Sequence, residues 1–396
     1  MDYTFILFLA IILIATKALG LFSRKINMPA VVGSLLAGVI LGPSVLKLIT
    51  LEGDTGTFIE YTAEIGVIML MFEAGLDTNI SDLKSNAKAS FVTALIGVIF
   101  PLVGGAVAYA TYFHTDTSDF TEVIKAIFVG VVLTATSVSI TVETLRELGK
   151  LQGKVGITIL GAAVIDDILG IIVLTIVTSM KDASVSIIGV LLKIVVYFAV
   201  IFALAFIFVK AKDIIEKHNR QRRTAILALA FCFLLAYISE VAFGIADITG
   251  AYFAGLMLCN MNVETYIERR TSIASYLIFS PIFFASVGLK VAVDSMTANM
   301  LGFTVILLAI AIITKILGCG LGSKICGCTG KESLQVGLGM VSRGEVALIV
   351  AQKGYQCHIL DDKLFAPIVI VVIVTTLITP ILLKLAFNGK KVSAIV

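Results

Sequence analysis

The sequence predicts an all-α polytopic membrane protein, and three observations lead there. Hydrophobic residues make up 59% of the 396-residue chain and charged residues only 14%. Soluble domains run roughly 45–50% apolar and about 25% charged. The apolar residues gather into thirteen segments, most of them near the ~20 residues that cross a bilayer core. Lys and Arg are spread unevenly over the loops between these segments. This composition excludes a soluble enzyme, a disordered chain, a disulfide scaffold and a nucleic-acid-binding protein. Helix is the expected state because a chain in lipid must satisfy its own backbone polar groups, and the alternating ~10-residue strands of a β-barrel are absent from the pattern.

The segments run approximately 4–22, 29–49, 58–76, 89–113, 123–144, 155–180, 184–210, 223–243, 246–260, 266–288, 298–321, 332–352 and 364–388. The first reads as a permanent span, since Asp2 replaces the basic start of a signal peptide and no small-residue cleavage site follows. The ninth is short and rich in small residues. Of the thirty Lys and Arg, nineteen fall in one set of loops and six in the alternate set. The positive-inside rule then places the N-terminus outside and the C-terminus in the cytoplasm. An odd number of spans requires opposite ends, so count and charge agree. Thirteen spans divide as six, one and six, which makes the two outer groups candidate inverted repeats, a common transporter design. The six cysteines are scattered and suggest no disulfide framework. Cys326 and Cys328 lack nearby partners for a metal site.

Polar residues inside a membrane are costly, so each asks for a reason. The sixth segment reads GAAVIDDILGIIVL, with Asp166 and Asp167 adjacent inside an apolar run. Helix neighbours point about 100° apart, so one carboxylate can face a water-filled cavity while the other faces a partner in the bundle. Two close carboxyls release their protons in a coupled way. A hard oxygen site that holds either a small cation or protons is what cation/proton exchange needs. In the fifth segment Thr134, Ser137, Thr141 and Thr144 are spaced as one helical face, and their hydroxyls could complete a cation shell. The same residues commonly pack between membrane helices. In the eleventh segment Lys315 lies too deep to snorkel and needs a carboxylate partner, for which the Asp pair is the candidate. The twelfth segment carries Arg343, Gly344 and Glu345 with Gly337 and Gly339 before them. The glycines permit local unwinding, and the charges suit broken helix ends better than direct ion binding. Lys17 near a helix end can snorkel. Glu73 lies near an inner end, Glu64 is deeper without an evident role, and Gly38 with Gly42 forms a GxxxG pair.

Several stretches together resemble the membrane domain of monovalent cation/proton antiporters of the NapA- and Kef-like branch. They are PAVVGSLLAGVILGP (29–43), EIGVIMLMFEAGLD (64–77), TATSVSITVETLRELGKL (134–151), AAVIDDILG (162–170), the Lys315 segment and GMVSRGEVALIVA (339–351). The resemblance implies a NapA/NhaA-type fold of thirteen transmembrane helices in two inverted six-helix repeats. Residues 1–76 and 223–288 would form the dimerisation scaffold, 89–180 and 298–388 the ion-transporting core, and 184–210 a linker helix. It also implies a homodimer, an elevator-like movement and electrogenic exchange. Asp167 would carry the ion and proton, and Asp166 would form a salt bridge with Lys315. Thr134 and Ser137 would be available as cation ligands. Arg343, Gly344 and Glu345 would support a crossing of the unwound fifth and twelfth helices. The fifth segment lacks the proline or acidic residue that marks the break in some relatives. Kef-type proteins add a cytoplasmic nucleotide-binding domain. This sequence runs only eight residues past its last span, so gating of that kind is not expected.

The expected activity is Na⁺ or Li⁺ exchanged for H⁺ at Asp166 and Asp167, with no cofactor beyond the transported ions. K⁺/H⁺ exchange is the alternative, because sequence does not set cavity size so finely. A passive cation channel is a further alternative, though no repeated-carbonyl filter is evident. An intramembrane aspartyl protease is disfavoured because it needs carboxylates converging from two helices.

Overall fold

The computed structural model describes residues 3–116, 118–181, 186–217, 221–290, 298–357 and 359–387. Among them are sixteen α-helices and no strand. In chain order they are α1 (Thr4–Lys25), α2 (Ala30–Leu41), α3 (Gly53–Leu76), α4 (Ile80–Tyr112), α5 (Phe120–Thr134), α6 (Val138–Glu147), α7 (Lys154–Ser179), α8 (Ile187–Lys217), α9 (Gln221–Tyr237), α10 (Asp247–Leu258), α11 (Glu264–Ala274), α12 (Ser280–Leu289), α13 (Ala298–Ile325), α14 (Gly330–Gly339), α15 (Glu345–Gln356) and α16 (Asp362–Ala386). A π-helical turn, Ile238–Phe243, extends α9, and another, Ser275–Phe279, joins α11 to α12.

Nine helices among the described residues, counted through their internal breaks, are long and apolar enough to cross a membrane. The other apolar segments of the sequence fall on α2 and α10, of 12 residues each, on α3, which carries Glu60, Glu64 and Glu73, and on the α14–α15 pair. Side chains turn outward as lipid contact requires. Ile14 of α1 is 69% exposed, and Ile188 and Val209 of α8 are 79% and 73% exposed. Polar caps appear where chain ends leave the apolar zone. Asn79, Asp119, Thr329 and Asp361 each accept a backbone N–H in the first turn of α4, α5, α14 and α16. Thr329 and Glu332 complete a capping box.

Two apolar clusters organise the interior. One gathers α1, α2, α3, α9, α10 and α12 with residues of α6, α7 and α8. The other gathers α5, α13, α15 and α16. Lipid supplies no hydrophobic drive between helices, so close backbone approach through small residues becomes the main source of attraction. The Gly38 of the GxxxG pair is such a point: a Cβ there would stand 1.9 Å from the Ala285 carbonyl oxygen of α12. On the facing helix a Cβ at Gly288 would stand 2.3 Å from the Leu35 carbonyl oxygen. All six cysteines are free thiols.

Gly38→Val forces α2 and α12 apart and should cost about 1–3 kcal/mol, the usual range for overpacking. Gly170→Ala, where an added Cβ would meet no atom of a neighbouring element within 4 Å, is the control. Thermal unfolding in detergent should show a lowered midpoint for the first variant and none for the second.

Candidate functional site

Two helices are interrupted in mid-course. α5 ends at Thr134, residues 135–137 are non-helical, and α6 restarts at Val138. α14 ends at Gly339, and after a turn the chain is non-helical over 341–344 before α15 restarts at Glu345. The two interruptions touch. The Ser137 N–H donates to the Ser342 carbonyl at 2.7 Å, and the Thr141 hydroxyl donates to the Gly339 carbonyl at 2.7 Å. Thr134, Ser137, Thr141 and Thr144 therefore do not lie on one continuous helical face, as their spacing had suggested. The break falls inside the series, and extended backbone reorients everything after Thr134.

A helix that stops inside the membrane leaves carbonyls without intrahelical partners and a partial negative charge at its end. Arg343 meets this need at the end of α5. It is fully buried, and its guanidinium donates to the carbonyls of Leu133, Ala135 at 2.9 Å and Ala311 at 3.2 Å. Its own carbonyl accepts the Thr376 hydroxyl from α16. A Cβ at Gly344 would come 2.6 Å from the Ser137 Oγ, so the absent side chain lets the two segments meet. The backbone of Glu345 opens α15, while its side chain lies outside the described residues.

α7 runs unbroken beside this crossing and carries both aspartates. Asp166 accepts from the Lys315 Nζ of α13 at 3.0 Å, with both side chains essentially removed from solvent. Asp166 also lies within the electrostatic reach of Arg343. Asp167, next along the helix and therefore turned about 100° away, is 7% exposed. The Asp166 Oδ2 atom and the hydroxyls of Thr136 and Ser342 are buried without a hydrogen-bond partner among the described residues. The Thr134 hydroxyl donates back to Val131 at 2.7 Å, and the Ser137 Oγ lies 3.3 Å from the Ser139 Oγ. A hydroxyl whose proton is used in this way still presents its lone pairs as acceptors. The arrangement can hold a small hard cation or a proton among oxygen atoms, with a fixed ammonium as counter-charge.

Sequence reasoning missed Thr376, Thr136 and Ser342. The Thr375–Thr376 doublet in an apolar run was the available signal for the first. It also missed the pairing of Arg146, at the end of α6. That guanidinium reaches Glu73 of α3 at 3.2 Å, Asp77 just past the end of α3 at 3.3 Å, and Glu143 on its own helix at 3.5 Å. The adjacent Glu147 accepts the Ala30 N–H of α2 at 2.7 Å.

Residues 7–389 match the protein family described as sodium/hydrogen exchanger, transmembrane. The chain is 39% identical to the Na⁺/H⁺-K⁺ antiporter GerN of Bacillus cereus, over 98% of each protein. It is 36% identical to a Na⁺/H⁺ antiporter of Enterococcus hirae, over 98% of this chain and 99% of the relative. Its fold is shared with the sodium proton antiporter MjNhaP1 of Methanocaldococcus jannaschii. A structure of that protein superposes with a TM-score of 0.76 at 19% identity, over 99% of this chain and 98% of the other.

Breaking the buried pair from one side leaves an uncompensated charge, at a cost of about 3–5 kcal/mol. Lys315→Met should therefore lower the thermal midpoint strongly. Adding Asp166→Leu should restore much of the loss, because replacing both charges by apolar groups removes the desolvation penalty. Thermal unfolding of the two variants in detergent checks this; equal midpoints would show that the pair is not coupled.

Proposed function

The chain belongs to the sodium/hydrogen exchanger family of monovalent cation:proton antiporters, and from that premise we propose that it exchanges Na⁺ or Li⁺ for H⁺ across the membrane. One observation carries this reading: a buried Asp166–Lys315 pair beside a second carboxylate, Asp167, at the crossing of two broken helices. A site of this kind binds a cation and a proton in competition, so exchange follows from one site visited from two sides.

In this reading Asp167 carries the ion and the proton. Asp166 alternates between Lys315 and the cation, and the salt bridge re-forms as the cation leaves. Thr134 and Ser137 supply cation ligands through their oxygen lone pairs. Arg343, Gly344 and Glu345 support the crossing. The numbers of protons and cations exchanged per cycle differ in this reading, which makes the exchange electrogenic. No cofactor is needed beyond the transported ions.

The same reading assigns thirteen transmembrane helices in two inverted six-helix repeats, of the NapA/NhaA type. Residues 1–76 and 223–288 form a scaffold that dimerises. Residues 89–180 and 298–388 form a core that moves against it as an elevator, with 184–210 linking the two. The protein sits in the cell membrane with its N-terminus outside and its C-terminus in the cytoplasm, as the charge asymmetry of the loops supports.

K⁺ as an additional substrate is a second reading. It is favoured by GerN, whose name includes K⁺ and which aligns over 98% of this chain.

Proteoliposomes with an internal pH reporter, given Na⁺, Li⁺ and K⁺ in turn, test both readings. Na⁺ and Li⁺ should move protons, and the rate should respond to a clamped membrane potential. K⁺-driven proton movement would establish the second reading. Asp167→Asn should abolish proton movement for every cation; exchange that survives in this variant removes Asp167 as the carrier.

A further inference from the structure

We propose that Glu147 is a latch that exchanges partners during transport. It holds the start of α2 in the state seen here and takes Lys384 of α16 once the core has moved. This exchange rests on the proposed movement of the 89–180 and 298–388 core against the 1–76 scaffold.

The contact seen here crosses that boundary. Glu147 is the last residue of α6, and its carboxylate accepts the Ala30 N–H at 2.7 Å. The Val31 N–H donates to the same carboxylate. The first N–H groups of a helix have no intrahelical partner, and partial positive charge gathers there. Pro29 stands at the cap position of α2 and provides no side-chain hydrogen bond, so the cap comes from Glu147. Arg24, in the last turn of α1, lies within electrostatic reach of this carboxylate. Glu147 is thus a core residue whose partners all belong to the scaffold. Glu143, one turn earlier, is held by Arg146 at 3.5 Å and takes no part in the cap.

Lys384 is the second half of the device. It lies in the last turn of α16 and is 6% exposed. Its Nζ is closed to solvent and has no hydrogen-bond partner among the described residues. A buried ammonium in this condition is costly and asks for a partner elsewhere in the cycle. The carboxylate within its electrostatic reach is Glu147, and among the described residues no ion pair joins the two. Both residues belong to the core, so sliding does not carry them apart. When the core withdraws Glu147 from Ala30, the carboxylate loses its N–H donors, and Lys384 replaces them. The α2 amides follow the 26–29 turn, where Ile26 is 53% exposed, and pass to water. One carboxylate then serves two arrangements, and neither leaves it buried alone.

Hydrogen–deuterium exchange of the full-length protein in lipid nanodiscs tests this at the first turn of α2. Glu147→Gln should speed exchange there about fivefold, the scale of one charge at a helix N-terminus. Lys384→Met removes the alternative partner, so exchange at α2 should slow by about as much. The same variant in proteoliposomes should lower the maximal rate of Na⁺-driven proton movement more than it shifts the half-saturating Na⁺ concentration. In the Glu147→Gln background, Lys384→Met should change nothing further at α2, because no carboxylate is left to move. Exchange at α2 that ignores Lys384→Met overturns the latch, as does an equal effect of that substitution in both backgrounds. If the expected exchange pattern holds in a protein that moves no protons for any cation, the latch stands and the antiport reading falls.

Discussion

A helix broken inside a bilayer must find partners for the backbone groups it exposes, because the surroundings offer none. Here the breaks in α5 and α14–α15 bond to each other, and one fully buried arginine answers two carbonyls at the end of α5 and one of α13. Arg343 binds carbonyls from α5 and α13, and its own carbonyl is held by Thr376 of α16. Four elements are thus tied at one point, by groups that would each cost several kcal/mol if left unpaired. The same crossing brings helix ends and free hydroxyls beside α7.

The ionisable part of the site was legible because charge in an apolar run has few ordinary explanations. Asp166 and Lys315 stand out in the sequence, and in the fold they meet at 3.0 Å. The glycines before Arg343 likewise marked a place where helix could fail, and helix does fail there. The fifth segment was read less well. Ser and Thr are accepted in helices, caps and extended segments alike, so TATSVSIT contains no residue that forces a break. The regular spacing of its hydroxyls favoured one helical face. Tertiary bonds decided otherwise, chiefly Ser137 to Ser342 and Thr141 to Gly339, and such long-range partners leave no local trace.

Arg146 shows the same limit for charge. As a loop cation it informs orientation, which is a matter of counting. Its pairing with Glu73 and Asp77 depends on α6 ending beside α3, and that follows only once the crossing has fixed the direction of α6. The ten-residue α6 is consequently held at both ends. Its start is bound to 339–342, and its end is bound to α3 through Arg146 and to α2 through Glu147.

The two ends of α6 differ in how readily they can let go. The Arg146 side chain is 27% exposed, while its partners Glu73, Asp77 and Glu143 are 6%, 17% and 20% exposed, so water reaches the cluster from the arginine side. The Lys315 and Asp166 side chains are 0% and 1% exposed, so bulk solvent does not reach either charge. Parting them needs a replacement for each, which a cation entering at the carboxylates would supply for Asp166. An elevator movement of the kind proposed would therefore part the water-accessible α6 clasp more readily than the sealed charge pair, which stays closed until an ion or a proton arrives. A contact that water reaches at the end of α6 and a sealed one at the carboxylates is an order that would couple such a movement to occupancy.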